Sequence, residues 1–382
     1  MRKNDVIGKT KRVDKVKVKV LIVDDSTLMR RILTDVVNAN PQFEVDRTAV
    51  NGKEALQILL ENPTYYDIVL LDIYMPFMTG LELLKELQQH PEVRAKIIIC
   101  STKADESAEE TFTALEYGAF DFIKKPDNLI GARNHTFHNE LINLLCAAVE
   151  NKNKEITKKL VQQQRPVKRA EVKQIPVAPV AEIQAPKGSG TKIIALACST
   201  GGPKTLQSII PLLPKELDAG MVLVQHMPKG FTRTLSARLD AMSKVRVKEA
   251  QDGDIVEKGC VYIAPGGFQM KLQQIPGDKY KIMITDEPPR DSLKPCANIM
   301  YESLVKTKVD EIVCVVLTGM GADGTEGIGA LKKSNKIYVI AQDEETSVVY
   351  GMPKAVAKAG LTDEIVPMQE IANTIIKKVG VQ

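Results

Sequence analysis

Residues 18–26, Val18-Lys19-Val20-Leu21-Ile22-Val23-Asp24-Asp25-Ser26, decide the fold of the first third of the chain. An apolar run stops abruptly at two carboxylates, the pattern of a strand buried on both faces whose end opens onto a polar site. The design returns at Ile68-Val69-Leu70-Leu71-Asp72. Working outward, further strands are expected at Glu44 to Ala49, Lys96 to Cys100 and Phe120 to Ile123. Apolar residues three and four apart over Lys53 to Leu60 and Leu81 to Leu87 predict helices between them. Such β/α alternation specifies an α/β domain with an open parallel sheet, doubly wound.

The chain has 382 residues, more than one core usually organises, so two domains are expected. The composition changes between Asn151 and Gly190 to Lys, Gln, Pro, Val and Ala, closing on Gly188-Ser189-Gly190, and reads as a linker. A second α/β pattern follows, with strands at Lys192 to Ala197, Met221 to Val224, Glu311 to Leu317 and Lys336 to Ala341. The expected division is a disordered basic leader at 1–16, a first domain at 17–150, a linker at 151–190 and a second domain at 191–382. A net charge of +4 names no nucleic-acid or membrane partner. With no run of about 18 apolar residues and no signal-like leader, a cytoplasmic protein without membrane insertion is expected. The six cysteines are scattered and read as reduced packing residues. His135 and His138 form a metal-like pair with nothing beside them to complete a site.

In a doubly wound sheet, sites form beyond the carboxyl ends of the strands. Asp24, Asp25 and Asp72 all fall there and would crowd three carboxylates into one pocket. Like charges so close need a cation, and an oxygen-only donor set suits Mg²⁺. Ser101 adds a hydroxyl past the fourth strand, and Lys125 an ammonium past the fifth. Each residue alone reads as a turn or cap; together they suit phosphoryl transfer to an attacking Asp72.

Val23-Asp24-Asp25-Ser26, Leu71-Asp72-Ile73-Tyr74-Met75-Pro76, Ser101 and Lys124-Lys125-Pro126 resemble the receiver domain of two-component response regulators. The resemblance implies a flavodoxin-like five-stranded fold with Asp72 as phosphoacceptor. It further implies Mg²⁺ on Asp24, Asp25, Asp72 and the Tyr74 carbonyl, and a switch through Ser101, Phe122 and Lys125.

In the second domain His226 is the single histidine, directly after a strand. Another strand end offers Ala197-Cys198-Ser199-Thr200-Gly201-Gly202, a serine followed by glycines and a helical stretch, where backbone N–H groups can stabilise negative charge. A third gives Leu317-Thr318-Gly319-Met320-Gly321-Ala322-Asp323-Gly324. Ser199, His226 and Asp323 thus make a nucleophile, a base and an orienting acid, outside the GxSxG elbow pattern. The last segment is also a literal GxGxxG, with Asp343 or Glu344 about twenty residues on, so a dinucleotide-binding domain is the local competitor. A phosphorylation-controlled binding protein with an inactive second domain is the rival from another class.

These segments, with Gln225-His226-Met227-Pro228-Lys229-Gly230-Phe231-Thr232, Tyr262-Ile263-Ala264-Pro265-Gly266 and Gly351-Met352-Pro353, resemble the protein-glutamate methylesterases of bacterial chemotaxis. The resemblance implies a Rossmann-like, mainly parallel domain with Ser199, His226 and Asp323 catalytic. The Met320 N–H would lie in the oxyanion hole, Thr200 and Gly201 would contact oxyanion or substrate, and no cofactor is expected there. It implies methyl-esterified glutamates of methyl-accepting chemotaxis receptors as substrate, methanol as product, deamidation of receptor glutamines as a further reaction, and a chemotaxis histidine kinase as phosphodonor. Two departures stand out. Cys198 precedes the serine, and the family's basic-Pro-Ser segment with its following Asp reads Lys294-Pro295-Cys296-Ala297-Asn298, which bears on substrate contacts and deamidation.

Overall fold

A computed structural model of the chain describes residues 17–101, 108–126, 135–164 and 190–381. The leader at 1–16 and most of the expected linker, 165–189, lie outside the described residues. In the first unit β1 (Val18–Val23), β2 (Phe43–Ala49), β3 (Ile68–Asp72), β4 (Lys96–Ser101) and β5 (Asp121–Lys124) form a sheet of order β2-β1-β3-β4-β5, all neighbours parallel. The chain passes from β1 outward to β2 and then back to β3, so a crevice opens at the carboxyl ends of β1 and β3. Asp24 and Asp72 stand there.

Helices α1 (Thr27–Asn38), α2 (Gly52–Glu61), α3 (Gly80–Leu87) and α4 (Ala108–Glu116) follow these strands. Helix α1 is started by Ser26, whose hydroxyl accepts from the Met29 N–H at 3.3 Å, leaving both neighbouring carboxylates free of the capping duty. Helix α3 opens on a capping box between Thr79 and Glu82. Helix α5 (His135–Gln164) continues well past residue 150, so the segment read as linker begins as helix.

The second unit contains β6 (Lys192–Cys198), β7 (Gly220–Gln225), β8 (Arg246–Glu249), β9 (Cys260–Ile263), β12 (Glu311–Val316), β13 (Ile337–Gln342) and β14 (Glu364–Val366). Their order is β14-β13-β12-β6-β7-β9-β8, every pair parallel. Strands β6 and β7 are buried along their whole length, as a sheet covered on both faces requires. Around it lie α6 (Gly202–Ile209), α7 (Phe231–Met242), α8 (Ala297–Leu304), α9 (Thr325–Leu331), α10 (Met352–Lys358) and α11 (Met368–Val379). Strands β10 (Gln269–Ile275) and β11 (Lys279–Thr285) pair antiparallel as a separate hairpin. Because β6 has β7 on one side and β12 on the other, a second crevice opens where these three strands end.

The units meet face to face. Phe122 of β5 stacks on Phe231 of α7, ring centroids 4.6 Å apart. Arg238 of α7 lies over the Phe112 ring and pairs with Glu109 at 3.0 Å and with Glu116, all three on α4. Asn151 of α5 donates its amide to the Val348 carbonyl at 2.9 Å.

Candidate active site

The ends of β1, β3 and β5 form the acidic pocket of the first unit. Lys125 reaches between Asp24 (2.5 Å) and Asp72 (2.8 Å), and all three side chains are buried. Burial works against the Lys125 charge, yet Asp72 and Asp24 outweigh it and hold the ammonium above its ordinary range. Burial also dominates at Asp72 and raises its carboxyl despite Lys125. Carboxylate oxygens of Asp24, Asp25 and Asp72 lie within 4.8 Å of one another. That hard oxygen donor set fits Mg²⁺. Tyr74 follows two residues after Asp72, exposed to solvent. Ser101, buried, ends β4, and its carbonyl accepts from the Lys125 N–H at 2.6 Å. Among the described residues no other group of three or more histidine, cysteine or carboxylate side chains comes together in this way.

The second crevice gathers Ser199 after β6, His226 after β7 and Asp323 after β12. His226 Nε2 meets Asp323 Oδ2 at 2.8 Å. With Asp323 ionised, Nε2 carries the proton and Nδ1 is left as the basic nitrogen. Burial opposes the Asp323 charge, but the bond from His226 and the N–H groups of Asn298 and Ala297 prevail and lower its pKa to about 2. The Ala297 N–H lies 2.6 Å from Oδ2, the Asn298 N–H 2.9 Å from Oδ1, and the Cys296 thiol 3.2 Å from Oδ1. Ser199 is half-buried and lines the same cavity as His226, without a hydrogen bond to the imidazole, a spacing that apo sites often show.

Gly319 explains how the third strand end comes so close. A side-chain carbon there would lie 2.8 Å from Ser199 Cβ and 2.4 Å from Met352 Sδ, so only glycine admits the approach. Among the described residues the Met320 N–H has no protein acceptor, and Met320 lines the cavity beside Ser199 and Thr200. Gly201, in the left-handed region at φ 74°, turns the chain into α6.

Two amides at the start of α9 are already occupied within the protein. The Gly324 N–H donates to Asn298 Oδ1 (3.0 Å) and Asp323 Oδ1 (2.9 Å), and the Gly327 N–H to Asn298 Oδ1 (2.8 Å). The start of α9 is thereby tied to Asn298 and Asp323. Cys296 and Asn298, read in the sequence as bearing on substrate contacts, stand behind Asp323 and α9, both buried. That role left no signal in spacing. Cys198 is buried, its thiol donating to Gln225 Oε1 at 3.0 Å. All six cysteines are free.

The β5 end of the first unit and the second crevice face one another across a cavity of about 660 Å³. Its walls include Asp121, Phe122 and Lys125 on one side and Ser199, Thr200, His226 and Met320 on the other. Asp121 points its buried carboxyl toward the Gly201 N–H and the Thr200 hydroxyl.

Residues 20–132 match the response regulator receiver domain family, and residues 194–375 match the CheB methylesterase family. A protein-glutamate methylesterase/protein-glutamine glutaminase of Geobacillus kaustophilus is 39% identical over 365 residues, covering 95% of this chain and 99% of that one. Its counterpart in Bacillus subtilis is 40% identical over 362 residues, covering 94% and 97%. The crystal structure of the Thermotoga maritima CheB methylesterase catalytic domain is 41% identical, covers 50% of this chain and 99% of that chain, and has a TM-score of 0.48.

Proposed function

The chain belongs to the CheB methylesterase family and carries a receiver domain ahead of its hydrolase domain, and on that premise we propose how its own residues do the work. It is a chemotaxis response regulator that hydrolyses glutamate methyl esters, with glutamine deamidation as the related reaction. The observation that carries the site assignment is the His226–Asp323 pair at 2.8 Å, with Nδ1 left free and Ser199 lining the same cavity. In this reading the Ser199 hydroxyl oxygen attacks the ester carbonyl while its proton passes to His226 Nδ1. The Met320 N–H, with Thr200 and Gly201 beside it, receives the oxyanion. The tetrahedral adduct collapses, and methoxide leaves as methanol with the proton from His226. Water then attacks the acyl-serine, His226 takes its proton, and the glutamate carboxylate departs as Ser199 is restored. Asp323 stays ionised throughout and holds the imidazole in the useful tautomer.

On the receiver side, Asp72 is the phosphoacceptor, and Asp24, Asp25 and Asp72 with the Tyr74 carbonyl would hold Mg²⁺. Held there, Mg²⁺ would supply the positive charge that phosphoryl oxygens need during transfer from a chemotaxis histidine kinase. Lys125 shares that task, and Ser101 and Phe122 convey the change to the interface. The receiver covers the Ser199 cavity in the closed arrangement, and phosphorylation shifts the population toward an open one that admits a receptor helix. The receiver at 17–150, linker at 151–190 and hydrolase at 191–382 are the functional units of this reading. The substrate places the protein in the cytoplasm; no described helix is long and apolar enough to cross a membrane.

The test is methanol release from methylated receptor membranes by the wild type and by Ser199→Ala, each with and without a small-molecule phosphodonor. Release that requires Ser199 and rises with phosphodonor supports both halves. Release indifferent to Ser199 overturns the triad.

A further inference from the structure

Gln225 ends β7, one residue before His226, and its side chain is 2% exposed. Each polar atom of its carboxamide is engaged within this one strand-end layer. Nε2 donates to the Ser199 carbonyl at 3.0 Å and to the His226 carbonyl at 3.1 Å, and Oε1 accepts from the Cys198 thiol at 3.0 Å. The orientation follows from chemistry, because two carbonyls can only accept and so require the NH₂ end. Burial pushes the Cys198 thiol well above its ordinary range, so it stays protonated and keeps donating. The space is cut to this group. A side-chain carbon at Gly202 would fall 2.1 Å from Gln225 Oε1.

We propose that Gln225 is a positioning residue of the hydrolytic site, its carboxamide locking the turn that carries Ser199 to the turn that carries His226. The inference rests on the assignment of those two residues as nucleophile and base. Beyond the β6–β7 ladder, the backbone joins the two strand ends through the His226 N–H to the Cys198 carbonyl at 3.2 Å. Gln225 adds the bonds that act on the residues bearing the reacting groups themselves. Because Ser199 and His226 come from different strands, their approach depends on this cross-tie, and a displacement of about 1 Å costs on the order of 10²-fold in rate.

The experiment uses the full-length protein saturated with phosphodonor, assayed by methanol release, with melting temperatures taken in parallel. Gln225→Met keeps the volume and loses the donor. It is expected to lower kcat about 10- to 100-fold while KM changes less than about 3-fold, since the carboxamide is buried and its bonds go to the protein. Gln225→Glu faces two carbonyls with a carboxylate at pH 8, whereas its neutral form, favoured by burial as the pH falls, donates one hydrogen. Its rate relative to wild type is therefore expected to recover between pH 8 and pH 6. A Gln225→Met enzyme with wild-type kcat overturns the inference. So does a parallel loss of kcat and melting temperature in both variants with no recovery of the Glu variant at low pH. Ser199→Ala is measured alongside: if it keeps its rate the parent assignment fails, whereas if it is dead while Gln225→Met is active only the cross-tie is lost.

Discussion

At Asp323 the balance between burial and hydrogen bonding decides the chemistry. A carboxylate this buried would ordinarily take up a proton, yet the His226 bond and the Asn298 and Ala297 N–H groups more than offset desolvation. Its pKa falls to about 2, below the ordinary value, so the stability it contributes is present above about pH 4 and is lost as the pH falls toward 2. The acid limb of the pH–rate profile between pH 5 and pH 8 should accordingly show no contribution from Asp323. Asp323→Ala is expected to cut kcat by about 10³-fold or more through loss of the imidazole tautomer, with steady-state methanol release as the measurement. Cys296→Ser replaces a weak donor to Oδ1 with a stronger one in the same place and should leave activity within about 3-fold of wild type, as the same assay would read. A large loss would mean that the thiol does more than hold the carboxylate.

Among the elements, α7 meets the receiver through both Phe231 and Arg238. Arg238 makes two part-exposed ion pairs with α4 and one cation–π contact with Phe112. Such contacts are worth about 0.5 kcal/mol each, or about 1–2 kcal/mol together, which is about a 5- to 30-fold change in a two-state equilibrium. Arg238→Ala should therefore raise methanol release in the absence of phosphodonor by roughly that factor and leave the phosphodonor-saturated rate unchanged. An unchanged basal rate would show that closure does not depend on α7. Removing divalent cations with a chelator should abolish stimulation by phosphodonor while sparing the basal rate, since Asp24, Asp25 and Asp72 belong to the receiver and not to the Ser199 crevice.

Over the whole molecule, the receiver carboxyl of Asp121 stands beside the Thr200–Gly201 turn. Burial raises the Asp121 carboxyl, the Phe122 and Gly201 N–H groups and the Thr200 hydroxyl offset only part of that rise, and the pKa settles at about 7. In an opened molecule the same carboxyl would return toward its ordinary value near 4. The closed form thus binds more protons between about pH 4 and pH 7, so closure is favoured as the pH falls and weakened as it rises. Methanol release by the unphosphorylated protein should increase across that window more steeply than release by the phosphodonor-saturated protein. Asp121→Asn, neutral at every pH, should remove the difference in slope and lower the basal rate. Identical slopes in the wild type would dissociate Asp121 from closure.

The apolar runs ending in Asp24, Asp72, Ser199 and His226 settled the α/β class and the strand ends from sequence alone, because a strand buried on both faces must be continuously apolar and its end must be polar. The hairpin β10–β11, the short β8, β9 and β14, and the length of α5 were not legible, since short or half-exposed elements take their form from what packs on them. The residue types of the triad were readable, and their spacing along the chain left open whether they meet. Only the tertiary structure decided that His226 turns Nε2 to Asp323, that Cys296 and Asn298 serve Asp323 from behind, and that Gln225 bridges two turns. Those relations are set by strand order and by the close approach of Gly319 and Gly202 to their neighbours, distances that no local pattern of side chains encodes.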